Sequence, residues 1–172
     1  VDAYLNFQEA GKHPTCELRI AGACTAADEK FVQVQKKKLE VAGLTDLVVW
    51  RPNLTREEKE EFLRGLTLFS VPVTYPEAFG LYLLEAMASG VPVVNPEASS
   101  FPEIAARTGG GISVRPGDPA ELARRWEGLL NDPEALRAIG ERGRRGVEER
   151  YSVGVMKDGF VELAERVLAA AR

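Results

Sequence analysis

Residues 67–94 read TLFSVPVTYPEAFGLYLLEAMASGVPVV. An apolar strand-like run, 67–73, leads through a short loop to Gly80. A strongly apolar helix then runs from about Leu81 to Ser89, Gly90 stops it, and a second apolar run follows at 91–94. A strand, a glycine, a helix, a glycine and a strand make one unit of a parallel sheet.

The same alternation extends outward on both sides. Upstream, residues 1–11 predict a helix ending at Gly11, 17–21 a strand closed by Gly22, 26–42 a helix stopped by Gly43, and 46–50 a strand. Thr55-x-x-Glu58 is a capping box opening a helix to about Arg64. Downstream, Ser100-x-x-Glu103 predicts a second capping box and 112–114 a short strand. Asp118-Pro119 and Asp132-Pro133 open two more helices. The second is interrupted by Gly140, Gly143 and Gly146, and Ser152 caps a last helix through Leu168. Short apolar strands between helices predict an α/β fold, a Rossmann-like doubly wound parallel sheet with helices on both faces. Ligands of such sheets sit beyond the carboxyl ends of the strands, which directs attention to loops 22–26, 51–55, 74–80, 95–101 and 108–111.

Composition narrows the chemistry. The chain has 172 residues, the size of one domain, with 45% hydrophobic and 28% charged residues. A net charge of −4 argues against nucleic acid as a partner, and Lys36-Lys37-Lys38 reads as a solvated helix face. Two cysteines, Cys16 and Cys24, in no metal-ligand spacing, read as reduced thiols of a cytoplasmic protein and give no zinc site. The single histidine, His13, reads as a loop residue. No GxGxxG, P-loop, nucleophile elbow or Asp-x-Asp pair occurs, so no metal is implied as a cofactor.

Within loop 74–80, Gly80 lets a ligand approach the backbone, and the following helix start favours an anion such as a diphosphate. Glu85 is the one charge between Glu77 and Glu97, and its apolar helix offers no polar face for it to join. A carboxylate pointing into a cleft has two acceptor oxygens, which suit vicinal sugar hydroxyls. Arg51, at the end of strand 46–50, is either an ordinary exposed arginine or a contact to a base or phosphate.

Residues Glu77 to Val94 resemble the E-x7-E region of family 4 (group 1) retaining glycosyltransferases, two-domain GT-B enzymes. Further resemblances follow in order: Leu18–Gly22 to a strand, Phe101-Pro102-Glu103-Ile104 to a helix start, Val114–Asp118 to a P-G-D turn, and Leu130–Pro133 before an Arg-rich helix. The resemblance implies that Glu77 contacts the donor sugar as the catalytic carboxylate and Glu85 the ribose hydroxyls. Ala78, Phe79, Gly80 and Leu81 would line the nucleotide-sugar diphosphate, with no metal. Ser99-Ser100 stands where family members often carry Gly-Gly, and its hydroxyls are expected to cap a helix.

The resemblance also implies that residues 1–172 are a nucleotide-sugar donor domain. Residue 1 would begin inside the helix after the family's first strand, so that strand and the N-terminal acceptor domain are expected to be absent from the chain. Strands 17–21 and 67–71 would then flank an unfilled central position. Two rival readings share the fold: a non-catalytic nucleotide-binding or interaction domain, and a sugar-nucleotide epimerase. Both glutamates speak against the first, and His13 lies far from the strand-end loops that the second would need.

Overall fold

A computed structural model describes residues 1–73 and 77–170. In chain order the elements are α1 (Asp2–Glu9), β1 (Leu18–Gly22), α2 (Glu29–Val41), β2 (Val48–Pro52), α3 (Arg56–Arg64), α4 (Leu81–Ala88), β3 (Val93–Pro96), α5 (Phe101–Thr108), β4 (Gly111–Val114), α6 (Pro119–Leu130), α7 (Pro133–Arg150) and α8 (Val153–Ala170). The helix–strand alternation read from the sequence is present, with parallel strands flanked by helices.

The strands form two parallel pairs. β1 pairs with β2 in the register Leu18–Val48 to Gly22–Pro52. β3 pairs with β4 from Val93–Gly111 to Pro96–Val114. The strand expected at 67–73 contributes only one bridge, Phe69 to Val93. Phe69 donates its amide to the Pro92 carbonyl and accepts from Val94, both at 2.9 Å. Beyond it the ladder stops for two reasons. The Val71 amide turns to the Asn95 side chain at 2.6 Å, and Pro72 has no N–H to give. Among the described residues no rung joins β1 to segment 67–71. A cavity of about 1150 Å³ lies between them, lined on one side by Arg19 and Ala21 and on the other by Leu68, Phe69 and Val71.

The caps explain where the helices begin. Thr55 and Glu58 form the full capping box at α3. Asp118 accepts from the Glu121 amide and Asp132 from the Ala135 amide, each with proline in the first helical turn. Ser152 accepts from the Val155 amide at 3.4 Å at the start of α8. Ser100 departs from expectation. It makes no cap bond to α5, because its hydroxyl donates instead to the Phe79 carbonyl.

α7 is likewise not interrupted by its glycines. It is continuous from Pro133 to Arg150, and Gly140, Gly143 and Gly146 are buried on one face. A Cβ on Gly140 would lie 2.2 Å from the Gly90 carbonyl oxygen. One on Gly143 would lie 2.9 Å from the Gly110 Cα, and one on Gly146 2.5 Å from the Thr108 Cα. The residues that weaken the helix locally let it seat directly on the turns after α4 and α5. The core beneath holds Met87, Val93, Phe101 and Ile104, each at most 1% exposed. In α8 no residue is buried.

Candidate functional site

The carboxyl ends of β1 and β2 and the start of α4 meet around the cavity. Gly22, Ala23, Asn53 and Leu54 line it from the first pair, and Tyr82 and Glu85 from α4. The two strand-end loops are fastened to each other. Asn53, at φ 55°, accepts from the Cys24 amide at 2.8 Å and returns a bond to the Cys24 carbonyl at 2.9 Å. Asparagine tolerates that left-handed conformation better than most residues, which suits it to this corner.

Glu85 sits where the sequence placed it, half-exposed on α4 and facing the cavity. It is not isolated, however. Lys59 of α3 reaches it, Nζ to Oε1 at 2.6 Å. Lys59 lies 26 positions away in the most charged helix of the chain, where it reads as one more solvated side chain. Only the packing of α3 against α4 reveals it. Its chain neighbour Glu58 belongs to the capping box, whose Thr55 hydrogen bonds hold the Glu58 carboxyl below its ordinary value. Arg51 is exposed and pairs loosely with Glu58, at 3.9 Å.

Gly80 adopts φ 79°, the left-handed conformation that glycine enters without steric cost, and ends the loop before α4. No side chain caps α4 there. An added Cβ would meet the Leu83 side chain at 3.0 Å. Leu81 is exposed. Phe79 is also exposed and packs obliquely on Tyr151, ring centroids 6.5 Å apart. Ala78 is exposed, while residues 74–76 of the same loop lie outside the described residues.

Glu77 is half-buried and does not itself line the cavity. Its carboxylate accepts from the Tyr82 hydroxyl, and Tyr82 is a cavity residue. Its amide donates to Ser99 Oγ at 2.6 Å. The structure therefore brings Glu77, Gly80, Tyr82 and Glu85 to one end of the sheet, with Lys59 beside them. Sequence reading missed Lys59 and Tyr82, and it gave the Ser99 and Ser100 hydroxyls to a helix cap where they meet the Glu77 amide and the Phe79 carbonyl. Tyr82, three positions before Glu85, was legible as a polar tip in an otherwise apolar helix. Among the described residues no group of three or more His, Cys, Asp or Glu side chains converges.

The sequence profile described as glycosyl transferases group 1 matches residues 1–146. A curated relative, the MMP alpha-(1->4)-mannosyltransferase of Mycolicibacterium hassiacum, is 33% identical over 135 residues, 78% of this chain and 33% of that protein. The D-inositol 3-phosphate glycosyltransferase of Streptomyces bingchenggensis is 36% identical over 57% of this chain and 21% of its own length. The chain thus spans a third or less of these relatives. Two solved structures share its fold. Anabaena HepE, solved in complex with UDP, superposes with a TM-score of 0.84 over 95% of this chain and 44% of its own, at 21% identity. The C-terminal domain of a group 1 glycosyl transferase from Francisella tularensis superposes with a TM-score of 0.78 over 88% of this chain and 79% of its own, at 24% identity. Residue pattern, parallel sheet and strand-end loops agree with the profile match over most of the length, and the chain belongs to the group 1 glycosyl transferases.

Proposed function

We propose that this domain binds the nucleotide-sugar donor of a retaining glycosyltransferase. The observation that carries the reading is the seating of α4. Gly80 in its left-handed conformation brings an uncapped helix start to the sheet's carboxyl end, with Glu77 before it and Glu85 one turn beyond. A helix start offers backbone N–H donors and the positive end of its dipole, which suits a diphosphate. Glu85 holds Lys59 with Oε1, and its second oxygen can take a ribose hydroxyl. That HepE was solved with UDP supports a nucleoside diphosphate here.

In the reaction the bond from the anomeric carbon to the diphosphate oxygen breaks and a bond to an acceptor oxygen forms on the same face. Positive charge grows on the sugar and negative charge on the departing diphosphate. Glu77 positions the sugar and supports the first. The α4 start, with Ala78, Phe79, Gly80 and Leu81, supports the second. No metal takes part in this scheme. The acceptor is held by a second domain outside this chain.

The test is titration of UDP, GDP, UDP-glucose and GDP-mannose into the full-length protein and its variants. Glu85→Ala weakens binding of the bare diphosphate about 10- to 150-fold, the range for roughly 1.5–3 kcal/mol of charged hydrogen bonding. Glu77→Ala leaves the bare diphosphate nearly unchanged and lowers turnover of the intact donor. Equal losses for both ligands in both variants would overturn this division of roles.

A further inference from the structure

We infer that Tyr82 and Ser99 are positioning residues that fix Glu77 from its two ends. The inference rests on the reading of Glu77 as the residue that meets the donor sugar. Glu77 follows directly on residues 74–76 and sits four residues before α4, in a stretch with no ladder to hold it. Two side chains hold it instead. The Tyr82 hydroxyl donates to the carboxylate, and Ser99 Oγ accepts from the amide at 2.6 Å. Ser100 adds a third fastening by donating to the Phe79 carbonyl.

The anchors themselves are rigidly seated. Tyr82 is in the first turn of α4, half-buried, with its ring against Phe69 at 6.2 Å between centroids. Phe69 is the residue bridged to β3. The carboxylate is thus tied, through one ring and one bridge, to the best-buried strand of the molecule.

Ser99 is held in an unfavourable conformation to do its part. Its φ is 54°, in the left-handed region that glycine enters freely and serine rarely adopts. A glycine at 99 would relieve that strain and lose the hydroxyl. Ser99 therefore trades backbone ease for an acceptor aimed at the Glu77 amide, and this trade makes the inference testable. If Ser99 served only the fold, activity would follow stability through its variants. If it positions Glu77, the two must part.

The experiment uses the full-length protein with Ser99→Gly, Ser99→Thr, Tyr82→Phe and, as reference, Glu77→Gln. Ser99→Gly is expected to hold or raise thermal stability while the Glu77 amide exchanges with solvent at least about fivefold faster, having lost its acceptor. The Val93 and Val94 amides keep their protection. Ser99→Thr keeps the hydroxyl and the Glu77 protection, at a cost in stability, because a β-branched residue suits φ 54° worse still. With UDP-glucose and GDP-mannose as donor probes, Ser99→Gly and Tyr82→Phe lower kcat about 10- to 100-fold, the scale of a misplaced reacting group. UDP and GDP affinities stay within about twofold, since neither change touches the diphosphate contacts.

Unchanged kcat in Ser99→Gly and Tyr82→Phe, with kcat lost in Glu77→Gln, would overturn the positioning inference alone. Unchanged kcat in Glu77→Gln would overturn the reading of Glu77 beneath it. An unaltered Glu77 exchange rate in Ser99→Gly would refute the Ser99 anchor whatever the activity.

Discussion

The two halves of the sheet are built from the same parts and buried very differently. In β3, Val93, Val94 and Asn95 are at most 1% exposed, and α7 lies against the adjacent turns with no side chain between the backbones. In β1 and β2, half-buried and exposed positions alternate, and α2 buries only Leu39 while Phe31 and Val41 stay 68% and 78% exposed. Both pairs are parallel and both follow the same helix–strand alternation. What separates them is close approach: the glycine stripe of α7 removes a layer of side chains, and nothing equivalent stands over β1 and β2. The candidate site straddles this boundary. Glu85 and Tyr82 come from the buried half, as does Lys59 on α3, whose Leu63 shares that core, and Asn53 comes from the other. The start of α4 is thereby carried on the more buried half, and the side facing β1 is held by loop fastenings such as Asn53 with Cys24.

The most forceful way to break this contrast is to add one carbon to each half. Gly140→Ala forces a Cβ to 2.2 Å from the Gly90 carbonyl oxygen, a backbone atom that cannot turn aside. A cost of about 1–3 kcal/mol or more is expected, the range for overpacking a close-fitted contact. Gly22→Ala in β1 meets nothing within 4 Å and has no left-handed φ to strain. It is expected to be neutral or to stabilise by up to about 1 kcal/mol through the unfolded chain. Urea melts of the two variants measure both. Similar losses in the two would show that burial does not distinguish the halves.

Asn95 gives a second, smaller effect inside the buried half. Its side chain ends β3 and takes the Val71 amide that finds no strand partner. Asn95→Leu keeps the bulk and orphans that N–H, at an expected cost of about 1–3 kcal/mol. The Val71 amide also loses its exchange protection. A full melt with protection intact would mean that segment 67–71 is held by packing alone.

These contacts also mark where sequence reading stops. Capping chemistry is local, so Thr55 with Glu58, Asp118 and Asp132 were legible within four residues. The open backbone at Gly80 and the apolar helix around Glu85 were legible for the same reason. The glycines of α7 read as interruptions because their use depends on Gly90, Thr108 and Gly110, turns that only the fold brings against them. Segment 67–73 read as a full strand because its apolar content is right. Its hydrogen bonding is decided elsewhere, by Asn95 and by the cavity on its other edge. Lys59, Tyr82 and Ser99 escaped for a similar reason: each works through a partner on another element or loop.

The smallest expected effect concerns pH, and it sharpens the comparison by asking whether the helix starts at the surface loosen before the buried strand in acid. The first turn of α3 carries Glu58, held below the ordinary carboxyl value of 4.5 mainly by the Thr55 backbone and side-chain hydrogen bonds. The turn between β4 and α6 carries Asp118 and Glu121. The Glu121 amide lowers the first from 3.8, and Arg115 lowers the second from 4.5. A carboxyl whose folded value is depressed adds stability above its ordinary value and loses it as pH falls through the folded one. Stability should therefore decline as pH drops below about 4.5, with a slope proportional to the protons taken up on unfolding. Glu58 is half-exposed and Asp118 and Glu121 are partly covered, but all three lie at the surface and are solvent-screened, so the decline is shallow. Thr55→Ala removes the hydroxyl that accepts from the Glu58 amide, keeps the Thr55 amide that donates to the Glu58 carboxylate, and is expected to cost about 1 kcal/mol near neutral pH. It should also flatten the acid slope by the part of the Glu58 share that the hydroxyl supplies, leaving that of the Thr55 amide, Asp118 and Glu121. Exchange protection in α3 should fall before that in β3 as the acid is added. Simultaneous loss in α3 and β3, in wild type and Thr55→Ala alike, would mean that the two elements unfold as one cooperative unit despite their difference in burial.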